Sequence, residues 1–227
     1  MNKICVIEQP AGLGDIFYTQ KIAKTILLQK KAGEIIWPVL DDFIYIKDYL
    51  KDNNIEYVKQ SEFKEPENAS IVRLRSADER HKDISIMSAK YVDAGLSEGD
   101  CLSYFNFKRN PKRESKLYDK LVNNEQDYIV RSMYYGSPPN SLERDVPYTG
   151  DKKIIDIEYY KDVNVFDWCK ILENAKELHM VDTCFIYILE KLNLNCSIKK
   201  LYSRFKPADF SHIEHVPQKI NWDFTQW

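Results

Sequence analysis

The sequence predicts an α/β fold made of two consecutive units, each a parallel sheet with helices. Three observations carry that expectation. Short apolar runs alternate with stretches of helical periodicity along most of the chain, an order that gives parallel strands joined by helical crossovers. The alternation stops at the polar run Asn123 to Gln126 and restarts on a smaller scale beyond it. Apolar residues make up 44% of the 227, which is enough to close a core and argues against disorder.

In the first unit, residues 1–122, Lys3 to Glu8 reads as a strand. Ile16 to Lys31 reads as a helix, with Ile16, Phe17, Ile22, Ile26 and Leu27 near helical spacing. Gly33 is placed to stop it in the C′ role. Glu34 to Val39 makes a second strand. Asp41 can cap a helix over Asp42 to Asn53, which puts Phe43, Ile46, Tyr49 and Leu50 on one face. Ile55 to Val58 and Ala69 to Arg75 are the third and fourth strands. Ser76 to Asp83 is a polar loop, Ser88 to Leu96 a helix that ends at Gly95, and Lys116 to Val122 a helix that closes the unit.

The second unit, residues 123–205, opens on the strand Asp127 to Ser132. Tyr135 to Gly150 holds three prolines and two glycines, so it reads as a long loop, a feature more often functional than idle. Strands follow over Lys153 to Glu158, Leu178 to Val181 and Ser197 to Tyr202, with helices over Asn164 to Asn174 and Cys184 to Leu192. The tail, residues 206–227, carries Trp222, Phe224 and Trp227; so many aromatics are expected to pack back on the body.

Composition removes several classes of function. Thirty-three basic against 35 acidic residues leave a formal charge of −2, without the basic footprint of a nucleic-acid binder. No window approaches the roughly 18 uninterrupted apolar residues of a membrane span, and the first residues lack the apolar core of a signal peptide. Cys5, Cys101, Cys169, Cys184 and Cys196 are odd in number and unpaired in spacing, which points to reduced thiols in a cytoplasmic protein. His212 and His215 lie three apart but lack a third ligand nearby, so no metal site is expected. The patterns of zinc proteases, P-loop proteins and serine hydrolases are absent from the sequence.

The stretch Gln9 to Thr19, QPAGLGDIFYT, joins the first strand to the first helix. Gly12 and Gly14 suit a sharp turn there, because glycine accepts positive φ and admits a ligand close to the backbone. Asp15 sets a carboxylate at the mouth of that turn. It reads either as a catalytic base or as a plain N-cap.

In the second unit, Arg131 and Ser132 end a strand, and Asp182 and Thr183 follow one directly before a helix. A helix start with a threonine hydroxyl is a cradle for phosphate oxygens, and an arginine can fork onto the same anion. The plainer alternatives are helix capping by Asp182 or Thr183 and a surface ion pair at Arg131. With Gly12, Gly14 and Asp15 these residues describe a site for a diphosphate at a cleft between two α/β halves, beyond the carboxyl ends of their strands.

These residues resemble a family. Ala11 to Ile26, AGLGDIFYTQKIAKTI, is similar to the start of bacterial heptosyltransferases, where Leu-Gly-Asp precedes an apolar helix. Phe166 to Leu192 is similar to their donor-site region, a helix and short strand followed by Asp-Ser or Asp-Thr. The strand end Tyr128 to Ser132 resembles that of fucosyltransferase-like enzymes of the same class, in which an arginine binds the phosphate of the sugar nucleotide. The resemblance implies the GT-B fold, two Rossmann-like domains whose parallel sheets face a central cleft. It implies transfer of a sugar from a nucleotide-diphosphate sugar to a glycan or lipid-linked acceptor hydroxyl, with no cofactor or metal. Asp15 would be the base, and Asp182 with Thr183 would hold the diphosphate. The chain departs from the pattern at Cys184, where the family has glycine, and at Tyr187, where it has histidine.

Two rivals stand beside this reading. Pro10 to Ile16 also resembles the glycine loop of S-adenosylmethionine-dependent methyltransferases, with Asp41 as the acid for the ribose. Ser137, Pro138, Pro139 and Asn140 resemble the catalytic loop of adenine methyltransferases, but Asn140 replaces the aromatic residue that stacks on the base. The other rival is a binding module that kept the GT-B fold and lost catalysis.

Overall fold

The computed structural model describes residues 3–9, 12–29, 31–74, 84–136, 142–205, 209–210 and 219–225. Strand β1 is Ile4–Glu8, followed by helices α1 (Leu13–Tyr18) and α2 (Gln20–Leu28), strand β2 (Glu34–Val39) and a 3-10 helix over Asp41–Asp48. Strands β3 (Ile55–Lys59) and β4 (Ser70–Arg73) come next, then helices α3 (Ile86–Asp93), α4 (Cys101–Tyr104) and α5 (Pro111–Leu121). The second half holds β5 (Tyr128–Ser132), a short hairpin of β6 (Tyr134–Tyr135) and β7 (Leu142–Glu143), and β8 (Lys153–Asp156). A 3-10 turn over Val165–Trp168 leads into α6 (Cys169–Asn174), β9 (Glu177–Val181), α7 (Phe185–Leu189), β10 (Ile198–Tyr202) and β11 (Asp223–Thr225).

The described residues form two compact units, one ending at Lys108 and the other beginning at Arg109. The division falls ahead of α5 rather than behind it, at 108/109 and not 122/123, for an electrostatic reason. Arg109 binds Glu114 of α5 and, at 2.7 Å, Glu173 of α6, while Arg113 of α5 binds Asp167 at 2.6 Å. Glu114 and Asp167 are almost fully buried, and a buried carboxylate is costly unless paired. Helix α5 therefore belongs to the second unit.

The first unit carries a four-stranded sheet in the order β3-β2-β1-β4, and every pair in it is parallel. Val6, Ile7, Ile35 and Trp37 form its buried interior with Ile16, Phe17 and Ile22 of the helices. The expected long helix breaks at Thr19, which is the C-cap of α1 and the N-cap of α2. Its hydroxyl bonds the carbonyl of Asp15 at 2.7 Å and lies 2.8 Å from the side-chain amide of Gln9. That side-chain competition with the helical ladder is typical of threonine. Helix α2 ends at Leu28, so Gly33 does not cap it; the Gly33 N–H instead bonds the carbonyl of Lys3.

The second unit carries a five-stranded sheet ordered β11-β10-β9-β5-β8, again parallel throughout. One face is closed by Phe166, Trp168, Cys169, Leu172 and the apolar α7. On the other, Val146 packs with Val181, Tyr202, Met133 and Tyr135. The tail returns to the body as the edge strand β11, with Trp222 buried beside it. Trp227 and the loop 76–83 lie outside the described residues, as do His81, His212, His215 and the segment Ser137 to Asn140.

Candidate functional site

Topology places the candidate residues before any side chain does. In the first sheet the chain runs outward from β1 through β2 to β3, then crosses to β4 on the other side of β1. In the second it runs from β5 to β8, then crosses back to β9 on the opposite side of β5. Strand order reverses at β1/β4 and at β5/β9, and such switch points, at the carboxyl ends of parallel strands, are where α/β folds bind ligands. Gly12, Gly14 and Asp15 follow β1. Arg131 and Ser132 end β5, and Asp182 and Thr183 follow β9. Each group therefore sits at the switch point of its own sheet.

The glycines do not act as expected. Gly12 is the N-cap of α1 in extended conformation, φ −75° and ψ −178°, and Gly14 lies inside the helix. Neither needs positive φ; among the described residues the glycines that do are Gly95 and Gly136. What remains of the expectation is that neither position carries a Cβ near the Asp15 carboxylate.

Asp15 is not the N-cap. It stands in the first turn of α1, where no side chain caps the helix. Its Oδ1 lies 3.0 Å from the ammonium of Lys90 on α3, a side chain 1% exposed, while Asp15 itself is 23% exposed. A buried cation thus meets a carboxylate that reaches water. The pairing joins residues far apart in sequence, and no local motif announces it.

In the second unit Arg131 and Ser132 point to opposite faces of the sheet, as successive strand residues must. Ser132 is buried on the helix side at 2% exposure, so the two cannot grip one phosphate together from β5. Arg131 forks onto Asp156 of the neighbouring strand at 2.7 and 3.1 Å and donates to the Val146 carbonyl at 3.3 Å. The Asp156 carboxylate holds the guanidinium above its ordinary range, against the opposing effect of burial. Three of its five N–H groups are thereby used.

Arg131 is one member of a row that crosses the whole sheet. Asp156, Arg131, His179, Lys200 and Asp223 are successive register partners on five adjacent strands. His179 is buried; its Nε2 lies 3.1 Å from Glu177 and its Nδ1 3.4 Å from the Tyr202 hydroxyl. Burial holds the imidazole below its ordinary value, more than the Glu177 hydrogen bond raises it. The neutral ring therefore donates from Nε2 to Glu177 and accepts at Nδ1. Lys152 sets a cation 3.1 Å from Glu177, and the Tyr148 ring stands edge-on to His179.

Asp182 is 1% exposed, and its Oδ1 accepts the Arg204 backbone N–H at 3.0 Å. With the Asp182 N–H bonded to the Tyr202 carbonyl, this carboxylate staples the end of β9 to the chain leaving β10. It thereby helps build the rim beside Thr183. Thr183 is partly exposed; its hydroxyl accepts the Phe185 N–H at 3.4 Å and its carbonyl the Ile186 N–H at 3.1 Å. It shapes the entry to α7, whose apolar residues are all buried. Asp41, the acid of the methyltransferase reading, is tied to the Ser61 backbone N–H at 3.1 Å and to the Ser61 hydroxyl. Among the described residues, no cluster of three His, Cys, Asp or Glu side chains is placed to hold a metal ion, and no helix is long and apolar enough to cross a membrane.

No protein-family model and no curated protein matches the chain in sequence. Solved structures match it in fold. The iron-containing dodecameric glycosyltransferase TibC from enterotoxigenic E. coli H10407 aligns at a TM-score of 0.51 and 11% identity, over 89% of this chain and 58% of TibC. TibC in complex with ADP-D-beta-D-heptose gives 0.51 at 10% identity, over 87% and 58%. This chain has a heptosyltransferase-like GT-B fold. A family 9 glycosyl transferase from Veillonella parvula DSM 2008 gives 0.50 at 8% identity, over 99% of this chain and 86% of that one. The GT-B likeness is one of architecture at these identities, and the chain spans little more than half the length of TibC.

Proposed function

We propose that the protein is a glycosyltransferase that moves a sugar from a nucleoside-diphosphate sugar to an acceptor hydroxyl. The observation that carries this reading is the placement of Asp15, Arg131 and Thr183 at the switch points of two parallel sheets, within a GT-B fold shared with glycosyltransferases. The acceptor oxygen attacks the anomeric carbon and its proton passes to the Asp15 carboxylate. The bond from that carbon to the diphosphate breaks, and its electron pair leaves with the diphosphate. Arg131 and the backbone N–H groups at Thr183 offset the charge that builds there. Asp182 acts by holding the rim on which Thr183 sits. The complex of TibC with ADP-D-beta-D-heptose makes an ADP-linked sugar the first donor to try, and a glycan or lipid-linked sugar is the expected class of acceptor.

A thermal-shift panel with ADP, GDP, UDP, CMP and S-adenosylmethionine, without added metal, tests the reading. A bound nucleoside diphosphate at 100 times its dissociation constant stabilises the fold by about 2.7 kcal/mol. One responsive diphosphate, with the response lost in Arg131→Ala, supports the donor assignment and names the base. A response to S-adenosylmethionine alone replaces it with the methyltransferase. Asp15→Asn is expected to abolish turnover and spare donor binding; an Asp15→Asn enzyme with full turnover ends the assignment.

A further inference from the structure

Lys90 is the buried charge that the reaction above leaves unexplained. It lies on α3 among Met87, Ala89 and Tyr91, all buried, and its own side chain is 1% exposed. An ammonium in such surroundings is costly unless a carboxylate offsets it. The carboxylate that does so is Asp15, at 3.0 Å. Lys21 shows what a purely structural lysine looks like in the same unit. Its Nζ gathers the carbonyls of Ser97 and Gly99 and the carboxylate of Asp100, so it ties one loop to α2. Lys90 gathers no such set among the described residues. It is aimed at one oxygen of one partly exposed carboxylate.

The frame that delivers it is rigid. Ser85 caps α3 by accepting the Ser88 N–H at 3.0 Å. Tyr91 donates to the carbonyl of Tyr18 at 2.7 Å, and its ring stands edge-on to that of Tyr18. The Tyr18 and Ser88 hydroxyls both donate to one oxygen of Glu98, at 2.7 and 2.9 Å. Helices α1 and α3 are thus joined on either side of the ion pair. The Asp15 carbonyl is held in turn by the hydroxyl and N–H of Thr19. Backbone and Oδ1 are both fixed, whereas Oδ2 has no hydrogen-bond donor among the described residues.

We infer that Lys90 is a positioning residue for the base: by occupying Oδ1 of Asp15 it fixes the carboxylate rotamer and presents Oδ2 to the acceptor hydroxyl. This rests on the glycosyltransferase reading. It also assigns the two oxygens different duties, since Oδ1 faces a buried cation and Oδ2 is the one free to take the proton.

The test compares wild type, Lys90→Met, Lys90→Arg, Asp15→Asn and the Lys90→Met/Asp15→Asn double variant. Turnover is followed as release of nucleoside diphosphate from ADP-, GDP- and UDP-sugars, with water as acceptor. Misplacing a catalytic group by about 1 Å costs on the order of 10²-fold in rate. Lys90→Met is expected to lower kcat by about that factor with the donor KM unchanged. Lys90→Arg, which keeps a cation at Oδ1, is expected to recover most of the loss. The double variant is expected to be no slower than Asp15→Asn. Full kcat in a folded Lys90→Met enzyme overturns the inference, as does a rise in donor KM with kcat preserved. If Lys90→Met does not fold, Lys90→Gln, which also removes the charge at Oδ1, takes its place, and full kcat in a folded Lys90→Gln enzyme overturns the inference equally. A wild type that releases no nucleotide from any donor, or an Asp15→Asn variant as active as wild type, defeats the glycosyltransferase reading itself and the inference with it.

Discussion

Arg131 and Asp156 face each other across adjacent parallel strands, the guanidinium forked on the carboxylate at 2.7 and 3.1 Å. Both side chains are partly exposed, 20% and 26%, so water screens the pair and its worth to stability is about 1 kcal/mol at most. Asp156→Ala is therefore expected to lower stability by no more than that in urea titration. Arg131→Ala is expected to cost as little in stability but to abolish the thermal shift with the responsive nucleoside diphosphate. Equal loss of the shift in both variants would mean that the ion pair, not the arginine alone, makes the contact.

Asp182 and Thr183 are neighbours with separable duties. Removing the buried Asp182 carboxylate strands the Arg204 N–H, and leaving a buried polar group unpaired costs about 1–3 kcal/mol. Asp182→Ala is expected to lose stability on that scale. Thr183→Val keeps shape and removes one weak cap, so it is expected to stay folded while diphosphate affinity falls. Calorimetric titration beside chemical denaturation separates the two outcomes.

Trp37 is fully buried in β2, stacked at 5.7 Å on Tyr57 of β3. Trp37→Ala is expected to destabilise the protein by about 3–5 kcal/mol, the usual cost of emptying so large a site. Its indole N–H has no hydrogen-bond partner among the described residues. Trp37→Phe removes that orphaned donor along with some volume, so it is expected to cost clearly less than the alanine variant.

His179 makes stability depend on pH. Burial sets its folded value below the ordinary 6.5, so the unfolded chain takes up the proton first on acidification. Stability is fully present above about 6.5 and is lost as pH falls through the folded value. The charges facing the ring are Arg131, Lys200, Glu177 and Lys152; Asp156 holds Arg131, and Glu177 holds Lys152, above their ordinary values. Burial pulls Glu177 upward, but the hydrogen bonds from His179 and Lys152 outweigh it and leave it below its ordinary value. Within this cluster the histidine is thus the group expected to titrate between about pH 7 and 5. His179→Gln, which still donates to Glu177, is expected to make the melting temperature less dependent on pH over that interval.

The strands were the legible part of the sequence. Glu34–Val39 matches its expected bounds, because Gly33 and the residues after Leu40 frame an apolar run too short for a helix. The break at Thr19 was not legible, since the Gln9 side chain that meets its hydroxyl comes from another element. The start of α5 was readable, since Asn110 and Pro111 are an N-cap and a first-turn proline. At the candidate site, strand periodicity alone already separated Arg131 from Ser132. Lys90 left no trace in the sequence, because α3 meets α1 only in the folded unit.

The edge strand β11 has a consequence for the order in which the chain can fold. All four strands of the first sheet lie within residues 4–73, so that sheet can form while most of the chain is still being made. The second sheet gains its fifth strand only when Asp223–Thr225 reaches β10. The link is reinforced by Glu190, whose buried carboxylate accepts the N–H groups of Lys219 and Ile220 at 2.6 and 3.4 Å. The first sheet can therefore order early, while β10 stays an open edge, able to pair with another strand, until Asp223–Thr225 docks on it.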